Sequence, residues 1–230
     1  MKNLNFKIGF LLVSIFLVQL SIAQDWANLN RFKVENAKLG FPAKGENRVV
    51  FIGNSITQGW SETCPEFFVG KPYINRGISG QTTPQMLVRF RADVIALKPA
   101  VVVILAGTND IAGNTGPSTI EMIADNLYSM AELAKANGIK VILSSVLPAF
   151  DYPWKTGLEP ADKIIELNKL IKEYADKNNM VYLDYFSAMV NEQKGMKKEY
   201  TTDGVHANKA GYELMGPMAE AAIKKALKQK

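Results

Sequence analysis

Val49-Val50-Phe51-Ile52-Gly53-Asn54-Ser55-Ile56-Thr57-Gln58-Gly59 is the stretch of this 230-residue chain whose reading decides the architecture. Its first four residues are apolar and each is β-branched or aromatic, so the run reads as a strand buried on both faces, the kind found in parallel sheets. Gly53 then predicts a sharp turn, which leaves Ser55 at the carboxyl tip of the strand. A serine in that place is either the cap of the next helix or an exposed nucleophile, and the segment by itself leaves both open.

Outward from this strand the chain alternates. Strands are predicted over 48–52, 73–75, 100–106, 140–146 and 180–184. An amphipathic lead over 26–39 precedes them, and helical spacing of apolar residues marks 84–97, 118–137, 161–177 and 209–228, the last with a kink expected at Gly216-Pro217. Thr83-Pro84 supplies a cap with proline at the first helical position, Gly138 ends the long middle helix and Pro160 opens the next. The fold class expected is therefore α/β: a five-stranded parallel sheet with helices on both faces. In such sheets ligands bind beyond the carboxyl ends of the strands, near the point where the winding reverses. Ser55 follows the first strand, Ile78-Ser79-Gly80 the second, Gly107-Thr108-Asn109-Asp110 the third, and Asp203 with His206 the fifth. All these segments fall on one edge, where random placement would divide them between two.

Composition narrows the classes. A chain of this length suits one well-buried domain, and 47% hydrophobic with 21% charged residues excludes disordered and fibrous readings. Lys2 and Lys7 precede an uncharged apolar run over 8–22, and Ser21-Ile22-Ala23 offers small residues for cleavage. This predicts a secretory signal over residues 1–23, a mature domain over 24–230, and a secreted or periplasmic location. Gln24, not cysteine, follows the cut, which argues against a lipid-anchored precursor. An uncleaved anchor is the competing reading, but the apolar run is short for a membrane span, and none is expected after cleavage. Without Lys2 and Lys7 the formal charge falls from +5 to +3, too mild to suggest nucleic acid as a partner. The basic cluster Lys224, Lys225, Lys228 and Lys230 suits a helix C-terminus. Cys64 is the sole cysteine and His206 the sole histidine, so neither an intrachain disulfide nor a thiolate or imidazole metal cluster is expected.

His206 stands three residues after Asp203 in Thr201-Thr202-Asp203-Gly204-Val205-His206. Histidine is the side chain suited to taking and returning a proton near neutral pH, and triads are defined by geometry, not by sequence order. Acyl transfer also needs donors for the oxyanion. The chain offers the backbone N–H of Ser55, the backbone N–H of Gly80 and the side-chain amide of Asn109. Gly53-Asn54-Ser55-Ile56-Thr57, Asn75-Arg76-Gly77-Ile78-Ser79-Gly80, Gly107-Thr108-Asn109-Asp110 and Asp203-Gly204-Val205-His206 resemble, in order and spacing, the four sequence blocks of the SGNH (GDSL-type) hydrolases. The resemblance implies a flavodoxin-like three-layer α/β/α fold and a serine esterase needing no metal or other cofactor. Ser55 would be the nucleophile, Asp203 and His206 its partners, and Gly80 and Asn109 the oxyanion donors beside the Ser55 amide. One position departs from the pattern: Asn54 stands where the family usually has aspartate, which keeps the shape and an acceptor but removes the charge.

Many exported members of this family look like carbohydrate esterases, so O-deacetylation of carbohydrate is the leading expectation, with a small-molecule or oligosaccharide ester as substrate. A lysophospholipase or acyl-thioesterase is the alternative, and a noncatalytic glycan-binding domain the alternative of another class. Trp60, Phe150, Tyr152 and Trp154 are candidates for an aromatic rim around sugar or acyl chain, although loop packing explains them as well. Asp110 is expected to hold its own turn, Arg89 and Arg91 to lie on a solvated helix face, and Tyr182 and Tyr185 to be core or rim.

Overall fold

The computed structural model describes residues 25–229, so the signal expected over residues 1–23 lies outside the described residues. Among the described residues five strands form one sheet: β1 (Val49–Gly53), β2 (Tyr73–Gly77), β3 (Val101–Leu105), β4 (Lys140–Ser144) and β5 (Val181–Leu183). All neighbours run parallel, in the order β2-β1-β3-β4-β5, with Val49 opposite both Tyr73 and Val101. The winding therefore reverses between β1 and β3, and a crevice is expected at their carboxyl ends.

The apolar runs divide by alternation into two cores. Val50, Ile52, Val102, Ile104, Val141 and Leu143 point to one face. There they meet α3 (Thr83–Asp93), α5 (Ile120–Ala136) and α6 (Ala161–Lys177), through Met86, Phe90, Leu127, Ile164 and Leu167 among others. Val49, Phe51, Val101, Val103 and Ile142 point to the opposite face, against α2 (Ser55–Thr63) and α8 (Lys209–Lys228). This is the three-layer α/β/α arrangement expected. Short helices complete it: α1 (Lys33–Leu39) near the start, α4 (Thr108–Ile111) after β3 and α7 (Tyr185–Met189) after β5. Among the described residues no helix is long and apolar enough to cross a membrane.

Several local expectations are corrected. The helix predicted over 84–97 ends at Asp93 and gives way to a 3-10 turn at Ile95–Leu97. Gly53 is the last residue of β1 and makes no left-handed turn. Glycine is needed there for close approach, since a Cβ would collide with Thr57 Oγ1 and lie 2.7 Å from the Leu105 carbonyl oxygen. α8 spans Lys209–Lys228 as expected, with Gly216-Pro217 inside it. Tyr212 and Met215 before the proline, and Ala219, Ile223 and Ala226 after it, all pack on the same core, which offsets the roughly 3 kcal/mol that an interior proline costs. Arg89, expected on a solvated face, is fully buried, whereas Arg91 is exposed as expected. Tyr185 is core, and Tyr182 packs partly buried against the opposite core.

Candidate active site

Asn54 starts the site. It is the N-cap of α2, buried, and its side-chain oxygen accepts from the Ile56 N–H at 3.0 Å. An amide oxygen performs that capping without a charge, so asparagine serves as the cap here as an aspartate would. Ser55 is thus the first helical residue and not the cap. Its hydroxyl stands free of capping work, and its N–H is one of the unpaired donors at a helix N-terminus, where the dipole favours developing negative charge.

The loop after the short 3-10 turn Lys198–Tyr200 supplies the partners. Asp203 Oδ1 accepts from the backbone N–H of Val205 at 2.9 Å and of His206 at 2.8 Å, so the carboxylate holds the loop that carries its own neighbour. Thr201 closes the turn, donating through Oγ1 to the His206 carbonyl at 2.7 Å and accepting from the Gly204 N–H. Asp203 Oδ2 lies 2.6 Å from His206 Nδ1, and His206 Nε2 lies 2.9 Å from Ser55 Oγ. The Asp203 and His206 side chains are each 35% exposed, open to substrate and water. Partial burial pushes the Asp203 carboxyl up, but the His206 amide, its imidazole and the Val205 amide outweigh this and hold it below the usual carboxylate range. The residues from the first and fourth blocks, 151 positions apart for Ser55 and His206, are therefore joined in one hydrogen-bonded chain.

The other two blocks arrive at the same strand ends. Gly80 adopts φ +76°, in the left-handed region that favours glycine, and its carbonyl accepts from Asn114 Nδ2 at 3.2 Å. Among the described residues neither the Ser55 N–H nor the Gly80 N–H has a hydrogen-bond partner. Asn109 is buried in α4, and its amide donates to the Gln81 carbonyl at 3.0 Å. An amide nitrogen carries two hydrogens, so this bond orients the group and leaves one donor. Asp110 does not merely hold its own turn. Both of its oxygens accept from the Thr83 N–H, and Oδ1 accepts from the Thr83 hydroxyl at 2.6 Å, stitching α4 to the start of α3. Burial pushes its carboxyl up to about 6, against the Thr83 bonds.

The four expected rim residues separate. Trp60 is core: it projects from α2 one turn after Ile56, onto the sheet, where it stacks on Phe67 at 4.5 Å and on Tyr212 at 5.6 Å. Tyr152 is also fully buried, its hydroxyl 2.8 Å from Thr108 Oγ1. Trp154 stacks on Tyr152 at 5.0 Å, is 45% exposed, and its ring centre lies 5.9 Å from that of His206. Phe150 is 60% exposed and lines a hollow of about 290 Å³ with Met196, Asn191 and Asp203. A larger hollow of about 550 Å³ follows the β2 edge and has none of Ser55, Asp203 and His206 in its wall. Sequence reasoning missed Gln81 and Arg89. The signal for Arg89 was its place between Met86 and Phe90, on the helix face that carries the apolar residues. Among the described residues no group of three or more His, Cys, Asp or Glu side chains could hold a metal ion.

The chain is similar to proteins of known structure and to curated esterases. A protein from Bacteroides fragilis NCTC 9343, of known crystal structure, is 51% identical over 89% of this chain and all of its own, with a TM-score of 0.87. A GDSL-like lipase from Bacteroides thetaiotaomicron VPI-5482 is also 51% identical, over 88% of this chain and all of its own, with a TM-score of 0.86. An acetylxylan esterase of Xylanibacter ruminicola is 28% identical over 220 residues, 80% of this chain and 44% of that protein. The chain spans about half the length of the curated relatives it matches first. The model of the GDSL-like lipase/acylhydrolase family matches residues 51–214, a span from β1 into α8 that takes in Ser55, Gly80, Asn109, Asp203 and His206. The chain belongs to the GDSL-like lipase/acylhydrolase family, which places its domain among the carboxylic-ester hydrolases.

Proposed function

We propose that this protein is an exported serine esterase that removes O-acetyl groups from carbohydrate, with Ser55 as nucleophile, His206 as proton carrier and Asp203 as its orienting partner. The observation that carries the reading is the chain Asp203 Oδ2–His206 Nδ1 at 2.6 Å and His206 Nε2–Ser55 Oγ at 2.9 Å. In the first half-reaction Ser55 Oγ attacks the ester carbonyl carbon while its proton passes to His206 Nε2. The carbonyl oxygen becomes an oxyanion, met by the N–H groups of Ser55 and Gly80 and the free amide hydrogen of Asn109. The intermediate collapses, the C–O bond to the alcohol breaks, and His206 returns the proton to the leaving oxygen. In the second half, His206 takes a proton from water as the water oxygen attacks the acyl-serine, and Ser55 leaves with that proton as the carboxylic acid forms. Asp203, held below the usual carboxylate range, stays ionised and stabilises the imidazolium in each half.

Carbohydrate as the alcohol part is supported by the exposed Trp154 face beside His206, since flat aromatic faces suit sugar rings, and by the likeness to an acetylxylan esterase. A small acyl group fits a site whose adjoining hollow is about 290 Å³ and mixed in lining. Export rests on the pattern of residues 1–23. The test combines fluorophosphonate labelling with product analysis. Wild type should label and release acetate from acetylated xylooligosaccharides, while Ser55→Ala and His206→Ala should keep the fold and lose hydrolysis. Substantial turnover in either variant would remove the triad roles. A kcat/KM that climbs steadily from acetyl to octanoyl esters, without acetate release from the oligosaccharides, would move the substrate to lipids.

A further inference from the structure

The side chains that set the oxyanion donors lie one layer beneath them. Arg89 is fully buried on α3, and each of its three guanidinium nitrogens serves a different part of the chain. Nη1 donates to Asp93 Oδ2 at 3.0 Å on its own helix, Nη2 to the Gly53 carbonyl at 3.1 Å, and Nε to Gln81 Oε1 at 2.6 Å. Gly53 is the end of β1, two residues before Ser55, and its carbonyl also accepts from the Ile78 N–H at 3.1 Å. Gln81 follows Gly80 directly and is equally constrained. Its Nε2 donates to the Ala27 carbonyl at 2.8 Å, and its own carbonyl accepts the Asn109 amide at 3.0 Å.

A planar guanidinium offers donors in a rigid fork, so its acceptors are held at set distances and angles to one another. Here the acceptors are the backbone before the nucleophile and the side chain next to Gly80. The far side of Gln81 reaches Asn109. One buried charge thus spans the segments that carry all three proposed donors, and Gln81 ties them to the N-terminal lead at Ala27. Asp93 balances the charge, and its other oxygen is held by Asn36 Nδ2 at 2.8 Å.

We propose that Arg89 and Gln81 are positioning residues of the esterase, fixing the Ser55 and Gly80 N–H groups and the Asn109 amide in the arrangement that receives the oxyanion. This rests on the reading of Ser55 as nucleophile. A displacement of the donors weakens contacts made in the transition state and leaves ground-state binding almost untouched.

The experiment uses the full chain with p-nitrophenyl acetate and a fluorophosphonate probe. It compares Gln81→Met and Arg89→Lys with the control Arg91→Gln, which is exposed on the same helix. Gln81→Met keeps volume and backbone but removes both side-chain bonds. Arg89→Lys keeps the charge without the fork. Both are expected to lower kcat about tenfold to a hundredfold with KM within about twofold, less than the loss of a whole donor. Both should still label to one probe per chain, at a rate reduced in step with kcat, and the midpoint of the pH–activity profile should not move. Arg91→Gln should match wild type. If Arg89→Lys does not fold, Gln81→Met, which disturbs no charge, decides. A Gln81→Met protein with wild-type kcat and labelling rate overturns the proposal, and so does incomplete labelling in proportion to lost kcat, because that reports a smaller folded fraction. Ser55→Ala is measured alongside. If it is inert while Gln81→Met is normal, the positioning role alone falls; if it retains turnover, the nucleophile reading falls and takes this proposal with it.

Discussion

Replacing Asn109 by alanine separates catalysis from stability in one variant. The buried Asn109 amide makes one bond, to the Gln81 carbonyl at 3.0 Å, and keeps one hydrogen for the site. Removing an oxyanion donor costs about 2.7–4 kcal/mol of transition-state stabilisation, a fall in kcat of roughly two to three powers of ten. The ground-state carbonyl is a weaker acceptor than the oxyanion, so KM should change only a few-fold. Stability should fall separately, because the Gln81 carbonyl is left without the amide, at about 1–3 kcal/mol. In a domain of this size each kcal/mol lowers the melting temperature by about 2–4 °C, so a loss of several degrees is expected. Steady-state hydrolysis of p-nitrophenyl acetate and thermal unfolding measure the two effects on the same sample. A variant with unchanged kcat and a raised KM would show that Asn109 binds substrate and does not meet the oxyanion, and the donor assignment would have to be withdrawn.

Trp154→Ala should raise KM for acetylated xylooligosaccharides about threefold to tenfold, the worth of one aromatic contact, and leave p-nitrophenyl acetate unaffected; an equal effect on both substrates would mean that the ring supports His206 and not the sugar. Trp60→Ala should cost about 3–5 kcal/mol in denaturant unfolding while the folded fraction keeps kcat within a few-fold, because the indole packs between Phe67 and Tyr212 beneath the site. For Asp110 the sign follows from a carboxyl raised from 3.8 to about 6: its contribution to stability is fully present below the unfolded value and is lost as pH rises through about 6. Asp110→Asn lacks that loss, so its melting temperature should gain on wild type between about pH 4 and pH 7, and a constant difference would contradict the buried-charge explanation.

Legible in the sequence is whatever depends on local pattern. A strand buried on both faces must be apolar at every position, and the runs at Val49–Gly53 and Val101–Leu105 are, so the parallel sheet was legible. A helix must begin with a cap and end where its periodicity stops, and Ala161–Lys177 and Lys209–Lys228 run over the residues expected. Because chain order then sends every strand end to one edge, the meeting of Ser55, Gly80, Asn109, Asp203 and His206 was legible as a region. Contacts between elements were not. Gly53 is glycine because Thr57 and the Leu105 carbonyl crowd it, Trp60 is core because α2 lays that face on the sheet, and Asp110 serves Thr83 on another helix. Arg89 shows the limit most plainly. Its charge predicted water, and only the tertiary fold supplies Asp93, Gln81 and the Gly53 carbonyl around it. Local sequence specifies periodicity and backbone preference; whether a charge can be buried depends on acceptors converging from distant segments, and that convergence exists only once the layers have packed.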